Sequence, residues 1–168
     1  MSVAFDPLGL LRVLHEEGVE FLVVGGFAGR VWGSPTITND LDICYSRQRD
    51  NLRRLAQALQ RLHARLRGAP PDLPFLLDER TLALGDSFTF ETDFGPLDCL
   101  GTPSGTTGYP DLVAHAQTFE LSKDLSAAFT SLPDLMRMKR AAGRPKDLIE
   151  LQVLAAVQEE SAKRPPEM

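Results

Sequence analysis

The stretch VVGGFAGRVWGSPTITNDLDI, from Val23 to Ile43, contains the residues that decide the fold. It opens with an apolar run that ends at Gly25 and Gly26, and it closes with two aspartates that flank one leucine, Asp40 and Asp42. A short apolar run closed by glycine is typical of a strand that is buried on both faces. The pattern therefore predicts a strand, a glycine turn, a short helix, and a second strand that carries both aspartates.

The second strand is expected from residue 36 to residue 45, where polar and apolar side chains alternate. Alternation places Asp40 and Asp42 on one face, with Ile37 on the other and Cys44 on the aspartate side. Residues two apart in a strand are separated by about 6.6 Å along the chain. Two carboxylates on one face can converge on Mg²⁺, which prefers oxygen ligands. The motif therefore predicts a site for divalent cations.

A third acid lies in the apolar segment GPLDCL, where Asp98 would be costly to bury as an unpaired charge. Together with the aspartate pair it would complete a site for two metal ions. Gly25 and Gly26 let backbone N–H groups approach a phosphate near a helix N-terminus. Each feature also has a simpler explanation, since glycine pairs usually form tight turns and D-x-D is frequent in solvated strands. Their order along the chain favours the functional interpretation.

The rest of the chain predicts an α/β (α+β) protein, with a mixed central sheet flanked by helices and with helices at its C-terminus. Strands are expected in three pieces between residues 80 and 101, and more weakly near 118–122 and 126–132. Helices are expected at about 6–17, 27–33, 52–66, 110–116, 133–142 and 145–159. A single domain is expected over residues 1–160, and residues 161–168 are expected to be a frayed tail.

Composition excludes several classes of protein. The chain has 168 residues, of which 43% are hydrophobic and 24% are charged, as in ordinary globular domains. The formal net charge of -5 argues against a protein that coats nucleic acids without sequence preference. With neither a signal peptide nor an apolar run long enough to cross a bilayer, the expected location is the cytoplasm. Cys44 and Cys99 have no metal-ligand spacing, and a disulfide between them is not expected.

These motifs together resemble the signature of the nucleotidyltransferase superfamily with the polymerase-beta-type fold. The likeness is greatest to small bacterial members, including the abortive-infection and toxin–antitoxin nucleotidyltransferases. The segment FGPLDCL is similar to the strand that bears their third acid, and LPDLMRMKRAAGRPKDLIELQVL (Leu132 to Leu154) resembles their C-terminal helices. The chain departs from the pattern at Gly26, where many members have serine.

The resemblance implies transfer of a nucleoside monophosphate from an NTP to an acceptor hydroxyl, with release of pyrophosphate. Two Mg²⁺ ions are the implied cofactors, with Mn²⁺ as the alternative. The implied catalytic and metal-binding residues are Asp40, Asp42 and Asp98, the last of which also helps to deprotonate the acceptor. The implied nucleotide-binding residues are Gly25, Gly26, Lys139 and Asp147. The simpler alternative for Lys139 is membership of an exposed cationic cluster with neighbouring basic residues.

The acceptor is less well defined by the sequence. Residues 47 to 67 contain seven arginines and one acid, and a stripe on the predicted helix suits RNA phosphates. This stripe consists of Arg47, Arg54, Arg61 and Arg65; its alternative is a solvated polar face. The family implies tRNA, other RNA or protein as acceptor, and an antitoxin as a candidate partner. A small-molecule enzyme of the antibiotic-modifying kind would need a pocket from dimerisation or from the loop at residues 101–108. A non-catalytic binding module is the third hypothesis.

Overall fold

The computed structural model describes residues 3–70, 72 and 75–163. Helices and strands alternate along most of this chain, as the sequence predicts. In chain order the elements are α1 (Pro7–Glu16), β1 (Phe21–Val24), α2 (Gly25–Trp32), β2 (Leu41–Tyr45), α3 (Arg49–Arg61), β3 (Arg65–Leu66), α4 (Glu79–Leu84), β4 (Ser87–Thr92), β5 (Gly95–Leu100), α5 (Tyr109–Val113), β6 (Gln117–Ser122), β7 (Leu125–Phe129), α6 (Leu132–Ala142) and α7 (Pro145–Lys163).

The strands form one mixed sheet in the order β3-β4-β5-β2-β1-β7-β6. β2 lies at its centre, antiparallel to β1 and parallel to β5. Side chains of the central strands are mostly buried because helices flank the sheet, with α2 against β1 and β2 and α1 against β7. The predicted fold class, a mixed sheet flanked by helices, is confirmed.

The segment before β2 differs from the prediction. Strand pairing begins only at Leu41, so the expected start at residue 36 is wrong and Asp40 precedes the strand. Glu150 of α7 holds the preceding segment instead: its Oε1 accepts a hydrogen bond from Ser34 Oγ and its Oε2 one from Thr36 Oγ1, each at 2.7 Å. Ile37, expected in the strand on the face opposite the aspartates, lies before the strand and is 80% exposed.

Two other boundaries also differ. The helix expected over residues 52–66 ends at Arg61, and Leu66 lies in β3, where it pairs with Phe90 of β4. The first of the three strand-like pieces after residue 80 forms α4. Its N-terminus is capped by Asp78, whose Oδ1 accepts a hydrogen bond from the Thr81 amide at 2.8 Å. In both segments hydrophobic spacing alone did not distinguish helix from strand.

The C-terminal helix is longer than the sequence predicts. α7 includes residues 161–163 of the predicted tail, and residues 164–168 lie outside the described part of the chain. Cys44 and Cys99 are buried and not bonded to each other. Within residues 3–70, 72 and 75–163, no helix combines the length and the apolar composition that crossing a bilayer requires.

Candidate active site

Asp42 and Asp98 lie side by side at the centre of the sheet. They are direct partners in the parallel register of β2 and β5, so their side chains project from the same face. Asp40, just before β2, completes the group: one carboxylate oxygen from each of the three acids lies within 4.8 Å of the others. The structure therefore brings together the three predicted acids, although Asp40 is not in the strand.

Thr38 fixes Asp40 in a segment that has no strand pairing. Its Oγ1 lies 3.1 Å from the carbonyl oxygen of Asp40 and 3.3 Å from Oδ1 of the same residue. A Cβ at Gly26 would lie 3.0 Å from this threonine hydroxyl. The threonine thus occupies the space beside position 26 into which a longer side chain would project. This packing is a physical reason for glycine at position 26.

Gly25 makes room for the Asp42 carboxylate. The predicted glycine turn is absent, because β1 passes directly into α2, whose first residue is Gly25. Its φ is +70°, and an added Cβ would overlap Oδ2 of Asp42 and lie 2.8 Å from its Cγ. Real Cβ atoms do not approach other heavy atoms this closely, so only glycine allows the carboxylate to lie against the start of the helix.

The three carboxylates lie close enough to repel one another, and burial shields Asp42 and Asp98 from water. Burial, and then the charges of Asp40 and Asp98, raise the pKa of Asp42 to about 7. Burial also raises the pKa of Asp98, although Arg67 opposes that change. Oδ1 of Asp42 is buried without a hydrogen-bond partner in the described structure. A divalent cation fits this donor set, because carboxylate oxygens are hard ligands and the cation would neutralise their repulsion.

Arg67 belongs to the site and was not predicted. It follows β3, and its Nη2 donates to Oδ1 of Asp98 at 2.8 Å and to the carbonyl oxygen of Phe90 at 3.0 Å. Its Nε donates to Oε1 of Glu91 at 3.1 Å. Three acceptors therefore hold the guanidinium against the third acid. The sequence contains no signal that separates Arg67 from the other arginines of its segment, because the contact depends on how β3, β4 and β5 pair.

A cleft beside Asp42 contains the other predicted residues. Its volume is about 120 Å³, and its walls include Gly25, Lys139, Arg144 and Asp147. Asp147, at the start of α7, is only 1% exposed; it lies 3.5 Å from Lys139 Nζ and accepts a 2.6 Å bond from Arg144 Nε. These bonds, the one from Arg144 first, lower the pKa of Asp147. The structure thus places the predicted Lys139–Asp147 pair next to the acids and adds Arg144 to it.

The arginine stripe is partly neutralised. Arg47 donates to the Tyr45 hydroxyl at 2.9 Å, and Arg61 forms ion pairs with Glu16 and Glu17 at 3.0 and 3.1 Å. Arg54 and Arg65 form no ion pair with any residue of the described structure. Two of the four predicted RNA contacts therefore already bind protein groups.

Comparison with solved structures confirms the nucleotidyltransferase fold. The chain superposes on the crystal structure of the lincosamide antibiotic adenylyltransferase LnuA, lincomycin-bound, with a TM-score of 0.58 and 12% identity, over 93% of this chain and 99% of that chain. It also superposes on the antibiotic-resistance factor ANT(2'')-Ia with a TM-score of 0.52 and 14% identity, over 89% of this chain and 80% of that chain. No protein-family sequence model matches the chain, and no curated protein is significantly similar to it in sequence.

Proposed function

We propose that this protein is a metal-dependent nucleotidyltransferase, which moves a nucleoside monophosphate from an NTP to an acceptor hydroxyl and releases pyrophosphate. The observation that carries the proposal is the meeting of Asp40, Asp42 and Asp98 within 4.8 Å, beside a helix start that only glycine allows. Acids that served only the fold would be expected to have compensating hydrogen bonds, whereas Asp42 has a buried oxygen without a partner in the described structure. The arrangement lowers stability unless cations bind there.

The triad would hold Mg²⁺, with Mn²⁺ as the alternative, and the bound ions would neutralise charge on the phosphates and on the attacking and leaving oxygens. Lys139 and the backbone N–H groups of Gly25 and Gly26 bind the triphosphate, and Asp147 holds Lys139 at the edge of the cleft. Asp98 accepts the proton of the acceptor hydroxyl at Oδ2, because Arg67 binds Oδ1. The acceptor oxygen bonds to the α-phosphorus as the bond from that phosphorus to the pyrophosphate oxygen breaks.

A small hydroxylated molecule is the acceptor that we propose first. The chain covers 99% of the adenylyltransferase LnuA, whose crystal structure is lincomycin-bound. The loop at residues 101–108, predicted as a source of an acceptor pocket, contributes Pro103 and Ser104 to the cleft beside Asp42. These observations support a small acceptor bound beside the three acids.

A macromolecular acceptor, as for the toxin-like enzymes, is the second candidate. Arg54 and Arg65 favour it, since neither has an ion-pair partner in the described part of the chain. With Arg47 and Arg61 already bound to protein groups, the basic surface is smaller than the sequence indicated. RNA binding through it would weaken with rising salt, because each phosphate contact releases counterions.

The test is transfer of label from each of the four α-labelled NTPs in the presence of Mg²⁺. Acceptors would be lincosamides, aminoglycosides, total tRNA and lysate protein, with chromatography for small products and acid precipitation for macromolecules. We expect transfer to one acceptor class, one pyrophosphate released per label transferred, and complete loss with EDTA. Tight binding of Mg-NTP without transfer to any class would overturn the proposal in favour of a non-catalytic binding module.

Arg67→Ala should lower kcat about 10-fold to 100-fold, in the range found when a group that orients a metal ligand is removed. The KM for the NTP should change little, because Arg67 contacts Asp98 and not the cleft that holds Lys139. Arg67→Lys should restore only part of kcat, since one ammonium cannot replace a guanidinium held by three acceptors. Steady-state kinetics with melting curves as the folding control would check this. Equal kcat for Arg67→Ala and wild type would contradict the positioning role.

The metal-free protein should lose stability as pH rises towards 8. Folding raises the pKa of Asp42 from its ordinary 3.8 to about 7, so the folded state binds this proton more tightly than the unfolded state. The resulting stabilisation is complete below about pH 4 and is lost as pH rises through 7, with a size on the order of 4 kcal/mol. Melting temperatures in EDTA at pH 5 and pH 8 would measure most of the loss. Asp42→Asn should remove most of this difference, and parallel curves for the two proteins would refute the assignment.

A further inference from the structure

α7 carries apolar side chains that the rest of the described chain covers only in part. The helix packs inward through Leu154 and the buried Asp147, yet Ile149 is 65% exposed. Ile149, Val153 and Ala156 recur at steps of four and three, so they form one stripe along the helix. An apolar stripe with this spacing is typical of a seam between two helices.

The stripe forms one wall of a groove. The opposite wall comes from the end of α2 and the segment after it, and the groove has a volume of about 620 Å³. Its apolar lining consists of Val31, Trp32, Pro35, Val153, Ala156 and Val157. A groove with such walls beside an exposed isoleucine is typical of a protein–protein contact.

Charges at the two ends of the stripe indicate the orientation of a partner. Lys146 lies near the N-terminus of α7 and Glu160 near its C-terminus, and both are exposed. Each lies seven residues, almost two full turns, from Val153, so all three lie on the same side. Neither charge suits the helix dipole, which favours acids at the N-terminus and bases at the C-terminus. Glu160 lies 3.8 Å from Lys163, but exposed pairs of this kind contribute little.

We propose that this side of α7 is the contact between two copies of the chain, packed antiparallel about a two-fold axis at Val153. In that arrangement Lys146 of each copy meets Glu160 of the other, and Ile149 meets Val157. A parallel pair would instead place like charges together. Two-fold dimers are the commonest assemblies of identical chains, and each of their contacts occurs twice. This inference is independent of nucleotidyl transfer.

Sedimentation equilibrium should show a dimer of the wild-type chain. Val153→Glu places two carboxylates at the two-fold axis and should give a monomer. Ala155→Glu is the matched control, because Ala155 is exposed on the opposite side of the same helix, and it should remain a dimer. Circular dichroism would show that both variants fold. A monomeric wild type, or a Val153→Glu variant that is still dimeric, would overturn the proposal.

Charge reversal tests the orientation. Lys146→Glu and Glu160→Lys should each raise the dimer dissociation constant about tenfold, since each creates two like-charge pairs. The double variant should return to the wild-type constant. The two positions are about 21 Å apart on one helix, too far for an ion pair within the chain, so recovery would come from the second copy. Additive weakening in the double variant would exclude the antiparallel arrangement.

Discussion

Asp42→Asn is expected to abolish nucleotidyl transfer, with kcat/KM reduced at least about a thousandfold. Asparagine has nearly the shape of aspartate but carries no charge, so the change removes one anionic ligand from the centre of the triad. Asp42 lies against both Gly25 and Asp98. In the part of the chain that the structure describes, the acidic cluster contains only Asp40 and Asp98 besides Asp42, so no further acid could replace it as a ligand. Label transfer from an α-labelled NTP, with the acceptor identified for the wild type, would measure the loss.

The stability of this variant separates lost chemistry from lost folding. Because removal of the charge relieves repulsion, metal-free Asp42→Asn should melt at or above the wild-type temperature at pH 8. Added Mg²⁺ should raise the melting temperature of the wild type more than that of the variant. Asp124→Asn, an exposed aspartate between β6 and β7, is the matched control and should leave transfer unchanged. Transfer by Asp42→Asn within about tenfold of wild type would refute the proposed chemistry.

Gly25→Ala should reduce kcat/KM by about a hundredfold or more. The new methyl group would occupy the position of the Asp42 carboxylate, and the φ of +70° disfavours any residue with a Cβ. Either the carboxylate or the start of α2 must move, and both belong to the proposed site. The variant should also be less stable, by about 1 to 3 kcal/mol. Kinetics and denaturant unfolding would measure the two effects.

Gly29→Ala is the matched control for this substitution. It lies in the same helix, and its added Cβ would meet no atom closer than 3.6 Å outside the helix backbone, which is ordinary van der Waals contact. Alanine in a helix interior is favoured over glycine by about 1 kcal/mol, so this variant should keep activity and gain stability. If both glycine variants lose activity equally, the specific role of Gly25 at the acids is disproved.

The three acids could be predicted because the sequence pattern immediately around each of them marks it. Asp40 and Asp42 are two positions apart at the start of an apolar run, and Asp98 lies inside another such run. A charged residue in an apolar strand usually has a structural or functional role, because burying a charge without a partner is costly. The triad could therefore be inferred without coordinates, and the structure confirms that its three carboxylates meet.

The roles of Arg67 and Glu150 could not be predicted, because their partners lie far away in the chain. Arg67 reaches Asp98 across β4, and Glu150 binds Ser34, which is 116 positions away in the chain. Arginine and glutamate at these positions look like ordinary surface residues in the sequence. The strand expected from residue 36 failed for a related reason, because Glu150 binds Thr36 and pairing with β5 begins only at Leu41.

The sequence by itself determined the fold class and the identity of the three acids, because hydrophobic periodicity and glycine placement act over a few residues. Only the tertiary structure decided that Asp42 and Asp98 share one register position and that Gly25 faces a carboxylate. It alone placed Arg67 at the third acid and left Ile149 of α7 exposed. Such relations depend on strand pairing and packing between segments far apart in the chain, for which local sequence carries no signal.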